Sequence, residues 1–360
     1  MLLMTQELPD LLMYVEAMGC PTTCQHCWAV GRPYQAMPLE EISWIVHEVR
    51  RFCDAHDLTV DGWPMHEVVA HPQAAHVIRL FHDLWNVVEE PLPTTGVPLS
   101  TRDDWRELLE TVRSLGTSTL WFAFHGAGEI HDRAVLHKGA YHESLRAVEL
   151  AREAGMQAGC NLFLTKENIG QFDQLVADLQ HVGIQQIIPG VYGFTPNARG
   201  RHSEPLRPEW QDVEPLVAKL DAIPETELWR RFWYELPNKH TESWYVRQAL
   251  EGTWPDEPEL WLRIPLVCRP NLDVYRGFAG QYIKRYGNLR RDGVDEVLSR
   301  AVADGACSDD ELWFPGEQRL SVQELAARFG HPHSQRIHMH PGSIRYWWLE
   351  CARRAGPMKK

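Results

Sequence analysis

The chain has 360 residues, of which 44% are hydrophobic and 24% charged, so it can bury a large core with an appendage and is too balanced for extended disorder. Its formal net charge of -13 excludes a surface built broadly to grip phosphate backbones, which need clustered Lys and Arg; only Arg199, Arg201 and Arg207 offer a local basic groove, and nucleic acid is disfavoured as a partner. No apolar run approaches the roughly 20 residues needed to span a bilayer, the first residues lack a charged leader and a small-residue cleavage site, and five of the eight cysteines are scattered singly. A cytoplasmic, reducing setting without a disulfide framework is therefore expected.

Short apolar runs alternate with longer amphipathic stretches, the pattern of a parallel sheet with crossover helices. Leu11 to Ala17 reads as the first strand, and Pro38 to Ala55 as its helix, with Ile42, Ile45, Val46 and Val49 as the apolar stripe. Leu58 to Val60 opens a second strand, followed by a helix from Ala74 to Val88. Leu92 to Val97 is the third strand, and Thr101 to Ser114 a helix capped by Thr101. Ser118 to Phe124 is the fourth, followed by a helix from Tyr141 to Ala154 that ends before Gly155. The fifth, Gln157 to Leu164, precedes a helix from Asn168 to His181, and the sixth, Gln186 to Val191, runs into the loop Tyr192 to Arg201. Six strand-helix units make an α/β fold, a partial or full barrel over residues 1–207, with function at the C-terminal ends of the strands. From Pro208 the alternation stops, and residues 208–360 read as a smaller mixed α+β extension.

Directly after the first strand stands Cys20-Pro-Thr-Thr-Cys24-Gln-His-Cys27. Three thiolates on one tight loop suit an iron-sulfur cluster or zinc. Zinc sites commonly pair two cysteine knuckles, and no second CxxC exists in the chain, although His26 or a distant ligand would complete a structural zinc site, and the bland alternative is three cysteines that merely share a loop. With only three thiolates nearby, a four-iron cluster keeps one iron open to a small molecule that offers an amine and a carboxylate.

At this point the sequence resembles the radical S-adenosylmethionine superfamily, whose signature is CxxxCxΦC with an aromatic residue at Φ; here His26 takes that place. The resemblance covers residues 10 to 205. It implies a partial (β/α)6 radical SAM barrel in which Cys20, Cys24 and Cys27 hold one 4Fe-4S cluster. S-adenosylmethionine would chelate the open iron, and an electron from the cluster would release a 5'-deoxyadenosyl radical that abstracts hydrogen from a substrate. Glu67 matches the glutamate of the family's GGEP segment, with Met65 and His66 in place of the glycines. Thr94-Thr95-Gly96 is similar to the family's Thr-Asn-Gly turn, and His125 stands where relatives have an acidic residue toward the ribose. Asn161 lies where relatives present a polar side chain to the ribose or adenine, and Arg199 in a loop that would pair with the cofactor carboxylate. Glu67, His125, Asn161 and Arg199 are therefore the candidate cofactor-binding residues.

Leu266 to Tyr275 with Tyr286-Gly287-Asn288-Leu289 resembles the hairpin of SPASM extensions, but Arg276 stands where a cysteine is expected, so no auxiliary cluster is anticipated and the extension is read as a cover over the barrel. His331, His333, His338 and His340 form a dense tract that either binds a metal or lines a loop, and Trp347 with Trp348 reads as packing. The expected substrate is a peptide or small natural-product precursor, with a flavodoxin- or ferredoxin-type electron donor. Cys268, Cys307, Tyr275 and Tyr282 are candidate radical quenchers. The alternatives are a radical SAM methyltransferase acting on RNA or a small molecule, and a non-catalytic iron-sulfur or zinc protein.

Overall fold

The computed structural model describes residues 10–27, 35–194, 198–219, 223, 240–255, 264–277, 282–305, 320–338 and 341–355, with backbone only at 198–200 and 341–342. Its strands are β1 (Leu11–Val15), β2 (Val60–Pro64), β3 (Leu92–Pro93), β4 (Thr119–Phe124), β5 (Gln157–Phe163), β6 (Gln186–Gly190), β7 (Ile264–Cys268), β8 (Asp273–Arg276) and β9 (Lys284–Asn288). They form two hydrogen-bonded sheets, in the orders β2-β1-β7-β8-β9 and β3-β4-β5-β6. β1 to β6 are the parallel strands of the expected barrel, and β2 and β3 share no ladder among the described residues, so the wall is parted there. On the other side of β1 the extension supplies β7, parallel and in register from Leu11 opposite Ile264 to Val15 opposite Cys268, and an antiparallel hairpin follows. The fold is a partial α/β barrel whose C-terminal extension continues its wall.

Helix α1 (Leu39–Ala55) buries Ile42, Ile45, Val46 and Val49, the stripe expected from the sequence, together with Phe52 and Cys53. It packs on α2 (Ala74–Trp85), whose Trp85 Nε1 donates to the Val46 carbonyl at 3.1 Å. The same core takes in Leu266 and Cys268 of β7 and Val297, Leu298 and Ala301 of the helix Val294–Asp304. A second apolar cluster joins Phe194 to the helices Glu242–Glu251, Val322–Phe329 and Pro341–Ala355 around Tyr245 and Trp348.

Several elements depart from the sequence reading. β2 begins at Val60 and runs through Asp61-Gly62, a pair that reads locally as a turn. The β1 partner overrides that preference, and glycine is required because a Cβ at residue 62 would lie 1.9 Å from the Met13 carbonyl oxygen. The third strand is only Leu92–Pro93, and Val97 instead starts the short helix α3 (Val97–Thr101), with Pro98 in its first turn. Thr101 ends that helix instead of capping the next, α4 (Trp105–Ser114), which follows Asp104. Two helices, α5 (Glu129–Val135) and α6 (Ala140–Glu153), fill the β4–β5 connection where one was expected. Asn168 precedes the 3-10 turn Ile169–Gln171 and α7 (Phe172–Val182), because its side chain is committed elsewhere: Oδ1 accepts from Thr165 N while Nδ2 donates to the His125 and Phe163 carbonyls.

A candidate cofactor site above a deep barrel cavity

The loop carrying Cys20, Cys24 and Cys27 leaves the C-terminal end of β1, and Glu67, Thr94 and Thr95 follow the ends of β2 and β3. These residues and Asn161 of β5 line a single cavity of about 760 Å³. Parallel strands deliver their C-terminal ends to one face, so residues far apart in sequence converge there. The Thr22 hydroxyl sits 3.1 Å from Cys20 Sγ and 3.5 Å from Cys24 Sγ, while Cys27, like Tyr14 and Tyr282, packs against the buried pair Met65 and Val267. Among the described residues no group of three or more His, Cys, Asp or Glu side chains is arranged to hold a metal ion. A cubane asks something different, since each thiolate binds a different iron and the three sulfurs need only border one space. Three soft thiolates on one loop beside an open cavity fit such a cluster.

Glu67 is 3% exposed, and both its oxygens are engaged: the Thr94 hydroxyl donates to Oε1 at 2.7 Å and the Thr95 amide to Oε2 at 2.7 Å. The carboxylate thus pins the turn after β3, which Gly96 completes at φ 82°, a left-handed conformation that glycine adopts without a Cβ penalty. The Thr95 hydroxyl, buried at the cavity wall, has no hydrogen-bond partner among the described residues. His66, where the family motif has glycine, also holds a left-handed conformation at φ 74°, and its imidazole lies 3.5 Å from the buried Glu16 carboxylate. Glycine enters that left-handed region freely, whereas an L-residue such as histidine adopts it rarely.

His125 is buried outside the cavity lining. Its Nδ1 shares a 2.8 Å hydrogen bond with the Tyr192 hydroxyl, its ring lies parallel to Phe163 at 5.3 Å, and its backbone N–H donates to His131 Nδ1. His26 of the cysteine loop stacks on Tyr192 at 4.2 Å and meets His125 at 4.3 Å. Burial, reinforced by His26 and His131, holds His125 well below the usual imidazole range. In this structure it backs the cysteine loop, with Tyr192 as a partner that sequence reasoning missed. Arg199 lies in the helix Ala198–Ser203 with its side chain outside the described residues. The neighbouring arginines are engaged internally: Arg207 grips Glu204 and the Ile337 carbonyl, and Arg201 pairs with Glu350 at 3.2 Å.

A charged cluster unseen in the sequence caps β1, β2 and β7. Tyr282 donates to Glu16, Arg269 approaches the same carboxylate at 3.6 Å, and the Arg269 guanidinium covers the Tyr282 ring at 4.4 Å. Burial raises the Glu16 carboxyl, but hydrogen bonds from His66 and Tyr282 and nearby positive charge outweigh it and hold it below the ordinary glutamate range. Tyr275 lies 5.2 Å from Tyr282, whereas Cys268 is fully buried in the core, where burial pushes its thiol upward; Cys307 lies outside the described residues. Arg276 donates to the Tyr286 hydroxyl at 2.8 Å and the Gly305 carbonyl at 2.6 Å, tying the hairpin to the following helix. In the histidine tract His331 and His333 are exposed, His338 is fully buried, and His340 lies outside the described residues. Trp347 packs edge-on against Phe194, and Trp348 donates to the buried Glu242.

No family model matches the chain. An AdoMet-dependent heme synthase of Methanosarcina barkeri (strain Fusaro / DSM 804) is 24% identical over 206 residues, which are 56% of this chain and 55% of that protein, so the chain spans about half the length of this curated relative. Among solved structures, anSMEcpe with bound AdoMet superposes at a TM-score of 0.50 with 12% identity, covering 96% of this chain and 98% of that one. Streptococcus suis SuiB bound to S-adenosylmethionine superposes at 0.51 with 12% identity, covering 92% and 77%. At such identities the structural likeness establishes the fold.

Proposed function

We propose, from the premise that this chain is a radical SAM superfamily protein by its fold and its cysteine loop, that it binds one 4Fe-4S cluster and S-adenosylmethionine and abstracts hydrogen from a peptide or small natural-product precursor. The carrying observation is the shared cavity: Cys20, Cys24 and Cys27 border the same space as Glu67, Thr94, Thr95 and Asn161. When bound, the cluster supplies the electron that cleaves S-adenosylmethionine to a 5'-deoxyadenosyl radical. The chain supplies position and shielding. Glu67 fixes the Thr94–Gly96 turn at the height of the cysteine loop, Thr95 and Asn161 offer polar groups for the cofactor's amine and ribose, and Met65, Phe122 and Ala123 form apolar wall that keeps water away.

A peptide substrate is supported by SuiB, which has this fold and was solved with its precursor peptide SuiA. A flavodoxin- or ferredoxin-type protein in the cytoplasm is the proposed electron donor; among the described residues no helix is long and apolar enough to cross a membrane. The internal pairing of Arg201 and Arg207 argues against a phosphate-binding groove and hence against an RNA methyltransferase.

Anaerobic reconstitution tests the proposal. About four iron and four sulfide per chain are expected, with 5'-deoxyadenosine formed from S-adenosylmethionine on reduction, and both are lost in Cys20→Ala, Cys24→Ala or Cys27→Ala. A protein that retains only a single zinc, or a reduced clustered protein that leaves S-adenosylmethionine intact, refutes it.

A further inference from the structure

The cysteine loop occupies one end of the cavity, and the register of the strands defines the other. Tyr14 faces Trp63 across the β1–β2 ladder and Pro93 faces Trp121 across the β3–β4 ladder; all four line the cavity on either side of the unpaired β2–β3 gap. Trp121 has room because residue 159 on β5 is glycine: a Cβ there would lie 2.2 Å from the indole ring. One layer below, Leu12 faces Asp61, and Glu89, just before β3, joins them in the lining. Side chains two apart share a strand face, so Asp61, Trp63 and Met65 step upward from the N-terminal rim toward the cysteine loop, about 13 Å at about 3.3 Å per residue.

Asp61 accepts one hydrogen bond, from the Gly62 amide, and among the described residues no Lys, Arg or His pairs with Asp61 or Glu89. Burial, then the charge of Asp61 in the same lining, pushes the Glu89 carboxyl up to about 8. Aromatic side chains one layer above two carboxyls that no described cation pairs with form a setting suited to a desolvated cation, whose arrival would favour release of the Glu89 proton.

We propose that the lower half of the cavity is a subsite for an organic cation, a primary ammonium or guanidinium on an apolar or aromatic body, bound by Asp61 and Glu89 beneath Tyr14, Trp63 and Trp121. The substrate of the proposed reaction then sits with its positive group at the N-terminal rim and its reacting carbon toward the cysteine loop. This orientation rests on the proposed function; the cation subsite itself does not.

The test uses the full-length reconstituted protein, saturated with S-adenosylmethionine and titrated calorimetrically with benzylamine, benzyl alcohol, a short peptide with one central lysine, and its norleucine counterpart. At least one ammonium probe is expected to bind at least about tenfold more tightly than its neutral counterpart, and the Asp61→Asn/Glu89→Gln variant to lose about that factor. The pair that shows the preference separates a small amine from a lysyl peptide as the source of the cation. S-Adenosylmethionine affinity, measured on the same variant, reports that its fold is intact. Equal binding of charged and neutral probes by the unmodified protein overturns the proposal, as does competition between benzylamine and S-adenosylmethionine. If the unmodified protein still releases 5'-deoxyadenosine, only the subsite falls; if it binds the ammonium probes but never cleaves the cofactor, the proposed function falls instead.

Discussion

Glu89 shows how a single side chain departs from its solution chemistry once the barrel surrounds it. A glutamate in the unfolded chain titrates near 4.5, and Glu89 in the fold near 8. Below 4.5 both states hold the proton. As pH rises from there the unfolded chain releases a proton that the fold retains, so folding becomes less favourable up to about 8 and is unaffected by this group above it. Glu89→Gln has no proton to lose, so its melting temperature is expected to gain on that of the unmodified protein as pH is raised from 4.5 to 8. Parallel melting curves across that range would remove the basis for the assignment. Nothing in the sequence marks Glu89 or Asp61, because an acidic residue beside a second glutamate or beside glycine reads as solvated surface. Cys20, Cys24 and Cys27 were legible because their chemistry is carried by local spacing on one loop.

At the scale of elements, β2 is held by its partner more than by its own composition. Asp61-Gly62 is poor strand material, yet the pair lies in register with Leu12 and Met13 of β1. Gly62→Ala would place a methyl group 1.9 Å from the Met13 carbonyl oxygen and 2.6 Å from the Trp85 ring, and the first of these is backbone that has nowhere to go. Overpacking of a tight core costs about 1–3 kcal/mol, and the upper end is expected, read as a lowered urea midpoint with an unchanged slope. Gly170→Ala is the control: a Cβ there has nothing within 4 Å and no left-handed backbone to strain, so its midpoint should stay put. An unmoved Gly62→Ala midpoint would mean that β1 and β2 are not paired as described. The helices were legible where an apolar stripe runs their length, as in α1. The boundary at Thr101 was misplaced because a proline-led helix upstream competes for the same residues.

For the whole molecule, the extension is part of the barrel wall. β7 pairs with β1 along its full length, and the core continues from Leu11 and Val15 through Leu266 to Val297 and Leu298. A chain ending at residue 207 would leave β1 with an open edge and strip cover from that core, conditions that favour edge-to-edge association. Such a truncation is expected to aggregate or to elute as large assemblies on size exclusion while the full chain unfolds cooperatively; a monomeric truncation with a sharp thermal transition would contradict this.

The sequence by itself determined what depends on near neighbours: the cysteine loop and its ligand chemistry, the alternation that yields parallel strands, and the amphipathic stripes of the crossover helices. Only the tertiary structure decided which distant residues share a space. It parted β2 from β3, set β7 beside β1, turned His125 inward onto Tyr192, and gathered Asp61 and Glu89 beneath Trp63 and Trp121. The reason is physical: spacing along the chain sets local conformation, whereas strand register and the packing of side chains from separate strands arise only when the whole sheet closes.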